Sequence, residues 1–153
     1  MDVLGQAIFD FQNGEKNLEV FQKINGEENE MLDPSYFFRA GNDLPFLELE
    51  AIKRAKGKVL DVGAGAGTHA LETQKLGLQT TAVDISSLSC EVMRQRGVLD
   101  VREMRVQDIK GEKFDTIFLL MNGIGMSQKL DLLAEFLSDI KDLLNPGGQI
   151  IGD

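Results

Sequence analysis

Residues 58–72 read KVLDVGAGAGTHALE, in which a short apolar run, three glycines at alternate positions and a helical pattern follow one another. The run Lys58–Val62 predicts a buried strand and Thr68 resumes helical character, so the glycines lie in the turn between them. Because glycine has no Cβ, this turn can adopt positive φ and a ligand can lie close to its main chain. The N–H groups at the start of the next helix are then free to bind that ligand.

The spacing of the glycines differs from the dinucleotide-binding fingerprint. That fingerprint, G-x-G-x-x-G, requires a glycine at position 68, where this chain has Thr68. The acid before the turn, Asp61, would also repel a phosphate. The pattern D-x-G-x-G-x-G instead resembles motif I of the class I S-adenosylmethionine-dependent methyltransferases. The resemblance implies that this cofactor lies on the main chain of Gly63, Ala64, Gly65 and Gly67. It also implies that Asp61 binds the ammonium group of the cofactor.

A second β-rich run, Thr80–Ile85, contains an acid at about the distance past the glycines at which a ribose-binding acid is expected. Asp84 is therefore a candidate to accept hydrogen bonds from both ribose hydroxyls. Ile85 beside it can lie against the adenine ring. Ser86 and Ser87 provide an N-cap for the helix that follows.

A third element, Val101–Val106, is predicted to be a strand near the sheet edge and is followed by Gln107, Asp108 and Ile109. In the methyltransferases that the chain resembles, an acid after the third strand accepts from the adenine amino group and a neighbouring N–H meets the ring. The resemblance therefore implies adenine contacts at residues 107–109. The alternative is that Asp108 is a surface acid in a turn.

The clearest apolar run is Phe114–Met121, which predicts a strand buried on both faces of a parallel sheet. The resemblance implies that the segment after it, with Met121, Asn122 and Gly123, flanks the transferable methyl group. Methyltransferases of exocyclic amino groups carry Pro-Pro and an aromatic residue after this Asn, whereas here Gly-Ile-Gly follows. Asn122 also has the alternative of being a turn residue with left-handed backbone.

The last part of the chain predicts one amphipathic helix from Ser127 to Leu144, ended by the Asn-Pro-Gly-Gly of residues 145–148 and followed by a fifth strand at Gln149. With the resemblance, the expected fold is α/β: a three-layer, Rossmann-like, mostly parallel doubly wound sheet with strand order 3-2-1-4-5. Full domains of this type continue with strands 6 and 7, so the chain resembles a domain truncated after the fifth strand. An open strand edge favours a homodimer through edge pairing.

The N-terminal part, residues 1–42, is expected to be a lid or extension, and residues 43–153 the cofactor-binding domain. Val3–Phe11 predicts a short helix, and a turn at Asn25-Gly26 joins two extended pieces. A capped helix is predicted to start around Asp43-Leu44-Pro45 and to run to about Ala55.

Aromatic residues before position 43 are implied by the resemblance to close over the cofactor. Tyr36 is a candidate contact, and the guanidinium of Arg39 is well shaped to bind the methionine carboxylate. The alternative is that Tyr36, Phe37 and Phe38 cover the sheet and that Arg39 is solvated. His69, the one histidine in the chain, is expected to be structural or adjacent to the cofactor's amino-acid end, not catalytic.

Composition narrows the function classes. The chain has 153 residues and a net charge of −9, which argues against binding to nucleic-acid phosphates and favours a neutral or cationic small-molecule acceptor. The single cysteine, Cys90, is expected in the core. No apolar stretch is long enough for a membrane span and no cluster suggests a metal, so a cytoplasmic enzyme without membrane partners is expected.

The functional prediction is a methyltransferase that uses S-adenosyl-L-methionine and releases S-adenosyl-L-homocysteine. Two other classes are considered. A non-catalytic cofactor-binding or interaction module would share the same motifs. An NAD-dependent oxidoreductase would share the strand, glycine turn and acid, but Thr68 and Asp61 count against it. The methyl acceptor is not specified by any motif, because one fold serves many substrates.

Overall fold

Helices and strands alternate along most of the chain in the structure, a computed structural model that describes residues 2–16, 18, 20–24, 27–127 and 129–153, without the side chains of 22–24 and 27–32. The helices are α1 (Val3–Gln12), α2 (Phe46–Arg54), α3 (Thr68–Lys75), α4 (Ser87–Arg96) and α5 (Leu133–Lys141). The strands are β1 (Val20–Ile24), β2 (Glu27–Leu32), β3 (Lys58–Val62), β4 (Gln79–Asp84), β5 (Asp100–Glu103), β6 (Phe114–Leu119) and β7 (Leu144–Gly152).

Five of the strands form one parallel sheet in the order β5-β4-β3-β6-β7. Counted from the strand before the glycines, this is the predicted order 3-2-1-4-5, which is confirmed. β3 is central, and the chain crosses from β5 on one side of it to β6 on the other. Such a reversal opens a crevice at the carboxyl ends of the strands, where ligands bind in open α/β sheets.

Helices cover both faces of this sheet, as the prediction of three layers requires. On one face, Leu60 and Ile117 pack with Phe136 and Ile140 of α5. On the other face, Val59 and Phe118 pack against Ala51 of α2, and a third apolar cluster joins β4 to α3 and α4. Cys90 is fully buried in that third cluster, where burial raises the pKa of its thiol to about 11.

The N-terminal part folds as two local units. α1 confirms the predicted helix, and its N-cap Asp2 accepts a hydrogen bond from the Gly5 N–H at 2.8 Å. β1 and β2 pair antiparallel, which confirms two extended pieces, while the predicted turn at Asn25-Gly26 lies outside the described residues. α2 begins at Phe46 after Pro45 and has no side-chain cap, so the predicted capping there is wrong.

The second half of the chain departs from the prediction in its helix. The continuous helix from Ser127 to Leu144 is wrong, because α5 begins only at Leu133 and two 3-10 helices, Gly123–Ser127 and Leu130–Leu132, precede it. Leu130 is 84% exposed, so the apolar residues before α5 do not form one buried stripe. The fifth strand of the sheet, β7, begins earlier than predicted, because Leu144 already pairs with Phe114 of β6. A register shift in this pairing accommodates the residues between Leu144 and Gln149.

The sheet edges also differ in detail from the prediction. β5 is at the edge as expected but ends at Glu103, and Val106–Asp108 forms a 3-10 helix instead of continuing the strand. β7 is the opposite edge among the described residues, and the pairing of a second chain with it stays a prediction.

The close packing behind the glycine turn gives a test of the fold. Gly67 has φ +77°, and a Cβ there would meet Val98 Cγ2 at 2.7 Å, whereas Gly77 has φ +79° with nothing within 4 Å. Both replacements by Ala introduce left-handed backbone strain of about 1 kcal/mol, and Gly67→Ala adds an overpacking cost of roughly 1–3 kcal/mol. We expect urea denaturation to give a lower free energy of unfolding for Gly67→Ala than for Gly77→Ala. Equal stabilities would contradict the packing.

Candidate functional site

The glycine turn between β3 and α3 is tied by its backbone to the end of β4. Gly63, Gly65 and Gly67 have φ of +68°, +55° and +77°, as predicted for the turn. The N–H of Gly63 donates to the carbonyl of Val83 at 2.9 Å, and the N–H of Gly65 donates to Asp84 Oδ2 at 2.9 Å. The turn and the end of β4 therefore form one hydrogen-bonded unit.

Two neighbouring cavities open at this unit, along the carboxyl ends of the strands. Cavity A, about 290 Å³, lies between α1, the glycine turn and the start of α4. Cavity B, about 410 Å³, lies between the segments that follow β5 and β6. Six residues line both cavities, so the two form one continuous crevice: Leu4, Gly63, Asp84, Ile85, Leu120 and Met121.

Asp84 stands where the two cavities meet. Its Oδ2 accepts from the Gly65 N–H and its Oδ1 from the Ser86 N–H, both at 2.9 Å. Each oxygen keeps a lone pair for a further donor. Burial raises the pKa of this carboxyl above its usual value, although the two N–H groups oppose the shift. Ile85 next to it lines both cavities with 75% of its surface exposed, which is an unusual exposure for a large apolar residue.

Asp61, at the end of β3, is 2% exposed and lines cavity A. Its Oδ2 accepts from the Ala70 N–H at 3.1 Å, so it caps the first turn of α3, whose N-cap Gly67 has no side chain to do so. Burial raises the pKa of Asp61, and the charge of His69 and this hydrogen bond act in the opposite direction. Asp61 thus has a capping role that the sequence did not reveal.

The segment after β5 reaches cavity B with only one of the three predicted residues, Gln107. Gln107 lines cavity B, but Asp108 is exposed and lines neither cavity, and Ile109 is buried in the core. The physical reason is the early end of β5 at Glu103, which brings residues 104–107 to the cavity. The alternative interpretation of Asp108 as a surface acid in a turn agrees with this position.

The segment after β6 places Met121 and Asn122 at cavity B, as expected. Both have left-handed backbone, with φ of +57° and +66°. This agrees with the alternative interpretation of Asn122 as a left-handed turn residue. Two consecutive non-glycine residues in this conformation are strained, and strain of this kind is concentrated at functional sites.

The N-terminal part covers cavity A through α1 and the 3-10 helix Pro34–Phe38. Ser86 Oγ donates to Asp2 Oδ2 at 2.5 Å, which fixes α1 beside the start of α4. Phe37 lines cavity A, and its carbonyl accepts from Thr68 Oγ1 at 2.6 Å. Tyr36 lines neither cavity. This cover therefore contacts the glycine turn and the helix that follows it.

Arg39 is neither at a cavity nor solvated. It lines neither cavity, its guanidinium lies 3.3 Å from the centre of the Tyr36 ring, and its Nη2 contacts Glu48 Oε1 at 2.9 Å. Glu48 Oε2 in turn lies 2.8 Å from His69 Nε2. In the structure, Arg39 therefore belongs to a series of charged contacts that runs from Arg39 through Glu48 to His69. Binding of the methionine carboxylate by Arg39 stays a prediction.

The pKa of Glu48 is lowered and the pKa of His69 is raised, so both shifts favour the charged form of the group. Burial alone would raise the pKa of Glu48, but the hydrogen bond from His69 and the charges of His69 and Arg39 lower it below its usual value. Burial opposes protonation of His69, but the hydrogen bond to Glu48 and the charges of Asp61 and Glu48 raise its pKa. The pair therefore favours an anionic Glu48 and a protonated His69.

Sequence reasoning missed Leu4, which lines both cavities, and Glu48, which holds His69. A signal for Glu48 was present in the sequence. Glu48, Ala51 and Ile52 recur at helical spacing and form the buried face of α2. An acid on an apolar helix face requires a buried partner, because an unpaired buried charge is very costly.

The sequence of this chain is similar to those of known methyltransferases. A family model described as a methyltransferase domain matches residues 59–148. The chain is 35% identical over 133 residues to the ribosomal protein L11 methyltransferase of Lactobacillus helveticus, covering 78% of this chain and 40% of that relative. It is 26% identical over 99 residues to the mitochondrial ubiquinone biosynthesis O-methyltransferase of Schizosaccharomyces pombe, covering 61% of this chain and 36% of that relative.

Solved structures give a similar result. The fold resembles the crystal structure of a SAM-dependent methyltransferase from Bacteroides fragilis in complex with S-adenosyl-L-homocysteine, with a TM-score of 0.86 and 39% identity. The match covers 97% of this chain and 62% of that chain. The chain spans about two fifths of the length of the curated relatives named above, at 40% and 36%. None of the described helices is long and apolar enough to cross a membrane.

The contacts of the buried Glu48 with Arg39 and His69 can be tested by mutation. Glu48→Ala removes the partner of both Arg39 and His69, and breaking a buried pair in this way costs about 3 kcal/mol. The matched control is Glu50→Ala in the same helix, where Glu50 pairs with the exposed Lys53. We expect urea denaturation to show a large loss of stability for Glu48→Ala and almost none for Glu50→Ala. A Glu48→Ala protein as stable as the control would contradict the assignment.

Proposed function

The chain belongs to the family of methyltransferase domains, and we propose that it binds S-adenosyl-L-methionine in the crevice of cavities A and B and transfers the methyl group to a small acceptor molecule. The observation that carries the proposal is the position of two acids around one glycine turn. Asp61 lines cavity A, and Asp84 lies where cavities A and B meet. An amine and a sugar diol are the groups that carboxylates at these positions suit.

The parts of the cofactor are assigned to the crevice by chemistry. Its amino-acid group lies in cavity A, with the ammonium at Asp61, and the ribose hydroxyls donate to the free lone pairs of Asp84. The adenine enters cavity B against Ile85, whose exposed apolar surface it would cover. Met104 and Val106 line the same cavity and supply the other contacts. The methyl group then faces Met121 and Asn122.

The N-terminal part acts as a lid in this proposal. Leu4 and Phe37 line the crevice from outside the central sheet. The bonds of Asp2 to Ser86 and of Thr68 to Phe37 connect this cover to the elements that hold the cofactor. A cover at this position excludes water from the amino-acid group and strengthens its electrostatic contacts.

Methyl transfer requires little chemistry from the protein. When bound, the cofactor would supply a sulfonium-activated methyl group: an acceptor atom attacks the methyl carbon in line, the bond between that carbon and the sulfonium sulfur breaks, and neutral S-adenosyl-L-homocysteine leaves. The residues of the chain align the acceptor with that group and exclude water, and alignment of this kind can contribute about 7–11 kcal/mol. Among the described residues, Asp84 and Arg105 are the charged groups lining cavity B. An acceptor whose reacting atom has already lost its proton to solvent before it binds, such as a neutral amine or a thiolate, suits this cavity because it needs no protein base.

The acceptor is proposed to be small and neutral or cationic, in keeping with the net charge of −9. The relatives named above include a methyltransferase of a ribosomal protein and one of ubiquinone biosynthesis. A second candidate function is a cofactor-binding module without turnover. It is favoured by the lining of cavity B, to which the described residues contribute no histidine and no carboxylate other than Asp84.

The cofactor assignment is tested by titration calorimetry with S-adenosyl-L-homocysteine. Asp84→Asn removes a charged acceptor at the meeting point of the cavities, and we expect its Kd to rise by about tenfold or more. Asp108→Asn is the matched control, because Asp108 lines neither cavity. We expect it to bind as the wild type does. A wild-type protein that binds no S-adenosyl-L-homocysteine would reject the proposed function, and equal weakening of the two variants would reject the site.

Turnover is tested separately, by measuring release of S-adenosyl-L-homocysteine with a panel of amines, thiols and phenols and with ribosomal protein L11. We expect transfer to a small amine or thiol, because Asp84 and Arg105 are the charged groups of the described residues that line cavity B and the acceptor must therefore react without a dedicated protein base. Transfer to L11 alone would replace the small-molecule acceptor with a protein. Tight cofactor binding without transfer to any member of the panel would favour the non-catalytic module.

A further inference from the structure

His69 borders cavity A and has one ring nitrogen, Nδ1, for which the described residues show no hydrogen-bond partner. It lies in the first turn of α3, is 5% exposed and lines that cavity. Nε2 contacts Glu48 Oε2 at 2.8 Å, while Nδ1 has no hydrogen-bond partner in the described part of the chain. No buried side-chain nitrogen or oxygen of the described residues lacks a partner. Nδ1 is therefore in contact with open space, and cavity A is the space that His69 lines.

The ring of His69 is held in this orientation from several sides. Glu48 fixes Nε2, and the ring of Phe118 meets the imidazole edge to face, with 6.4 Å between the centroids. Glu48 is itself fixed, because its other oxygen contacts Arg39 at 2.9 Å. Arg39 also donates from Nε to the carbonyl of Tyr36 at 2.8 Å. The cover segment thus positions the ring through Arg39 and Glu48.

The charges around His69 make the end of cavity A a site for a zwitterion. Glu48 is anionic and accepts from Nε2, so a protonated ring also carries a hydrogen on Nδ1 and donates into the cavity. Asp61 lines the same cavity with a carboxylate. A cationic donor and an anionic acceptor side by side match the carboxylate and the ammonium of a free α-amino acid group.

We propose that His69 binds the α-carboxylate of the cofactor's methionyl group through Nδ1, with Glu48 and Arg39 as positioning residues. The proposal rests on the proposed function and deepens it. In this proposal His69, and not Arg39, binds the carboxylate, because the guanidinium of Arg39 already pairs with Glu48. Asp61 takes the ammonium group, so the two charged ends of the amino-acid group have separate partners.

The direct test compares two ligands that differ only in the carboxylate. These are S-adenosyl-L-homocysteine and its decarboxylated analogue, S-adenosyl-3-thiopropylamine, each titrated into wild type and His69→Asn. We expect wild type to prefer S-adenosyl-L-homocysteine by about tenfold or more, the effect of one hydrogen bond between charged groups. We expect His69→Asn to lose this preference, with its Kd for the analogue unchanged.

The outcomes separate the inference from the function on which it rests. If wild type binds neither ligand, the proposed function fails and the inference fails with it. If wild type binds S-adenosyl-L-homocysteine but His69→Asn weakens both ligands equally, His69 has only a structural role and this inference alone is overturned. Circular dichroism reports whether His69→Asn folds, and if it does not, the pH test below on wild type and Glu48→Gln decides.

The pH dependence of the ligand preference gives that second test. The charged groups facing His69 are Glu48 from α2, Asp61 from β3 and Arg39 from the cover. As the pH rises through the pKa of His69, Nδ1 loses its hydrogen, so the preference for S-adenosyl-L-homocysteine should fall. Glu48→Gln removes the main group that keeps the ring protonated, and the fall should move to lower pH. Asp61 acts on the ammonium that both ligands share, so it does not account for a difference between them. The proposal is overturned if the preference for S-adenosyl-L-homocysteine does not change with pH, or if Glu48→Gln does not move its fall to lower pH.

Discussion

The turn between β3 and α3 has to reverse the chain within a few residues while its N–H groups find acceptors. Three glycines with φ between +55° and +77° make this possible, and the N–H groups of Gly63 and Gly65 then bond to the carbonyl of Val83 and the carboxylate of Asp84. The crevice depends on this constraint, because it fixes Asp84 at the junction of the two cavities. A side chain at Gly67 would meet Val98 and Met93 and displace the turn.

The buried charges follow from the same turn. The first turn of α3 brings the Ala70 N–H to Asp61 and sets His69 opposite Glu48 of α2. A buried ion pair is weak evidence for stability, since well-packed apolar residues of the same volume are often as stable. In the proposed function, the cluster formed by Glu48, Asp61, His69 and Arg39 serves the ligand of cavity A, which Asp61 and His69 line.

The sequence predicted what local patterns encode and missed what only tertiary contacts create. The strand before the glycines and the N-cap at Ser86 follow from apolar runs and turn residues that lie next to each other in sequence, whereas the order of the sheet was implied by the resemblance to the methyltransferases. The contacts of Glu48 with Arg39 and His69 join residues 9 and 21 positions apart, and no local pattern specifies them. The end of an edge strand is weakly encoded, so the sequence left two positions open for Asp108: in the structure β5 stops at Glu103, residues 104–107 line cavity B and Asp108 lies outside both cavities.

The two acids of the crevice carry a cost that a ligand would relieve. Burial raises the pKa of both Asp61 and Asp84, so each ionised carboxylate is less stable in the folded chain than in water, in spite of the N–H groups that it accepts. In the proposed function, an ammonium reaches Asp61 and two hydroxyls reach Asp84, and each lowers the free energy of the charged form. Ile85, 75% exposed, gains burial in the same step. In that case binding and folding are coupled, because the carboxylates whose burial costs free energy are the groups that a sulfonium nucleoside would stabilise.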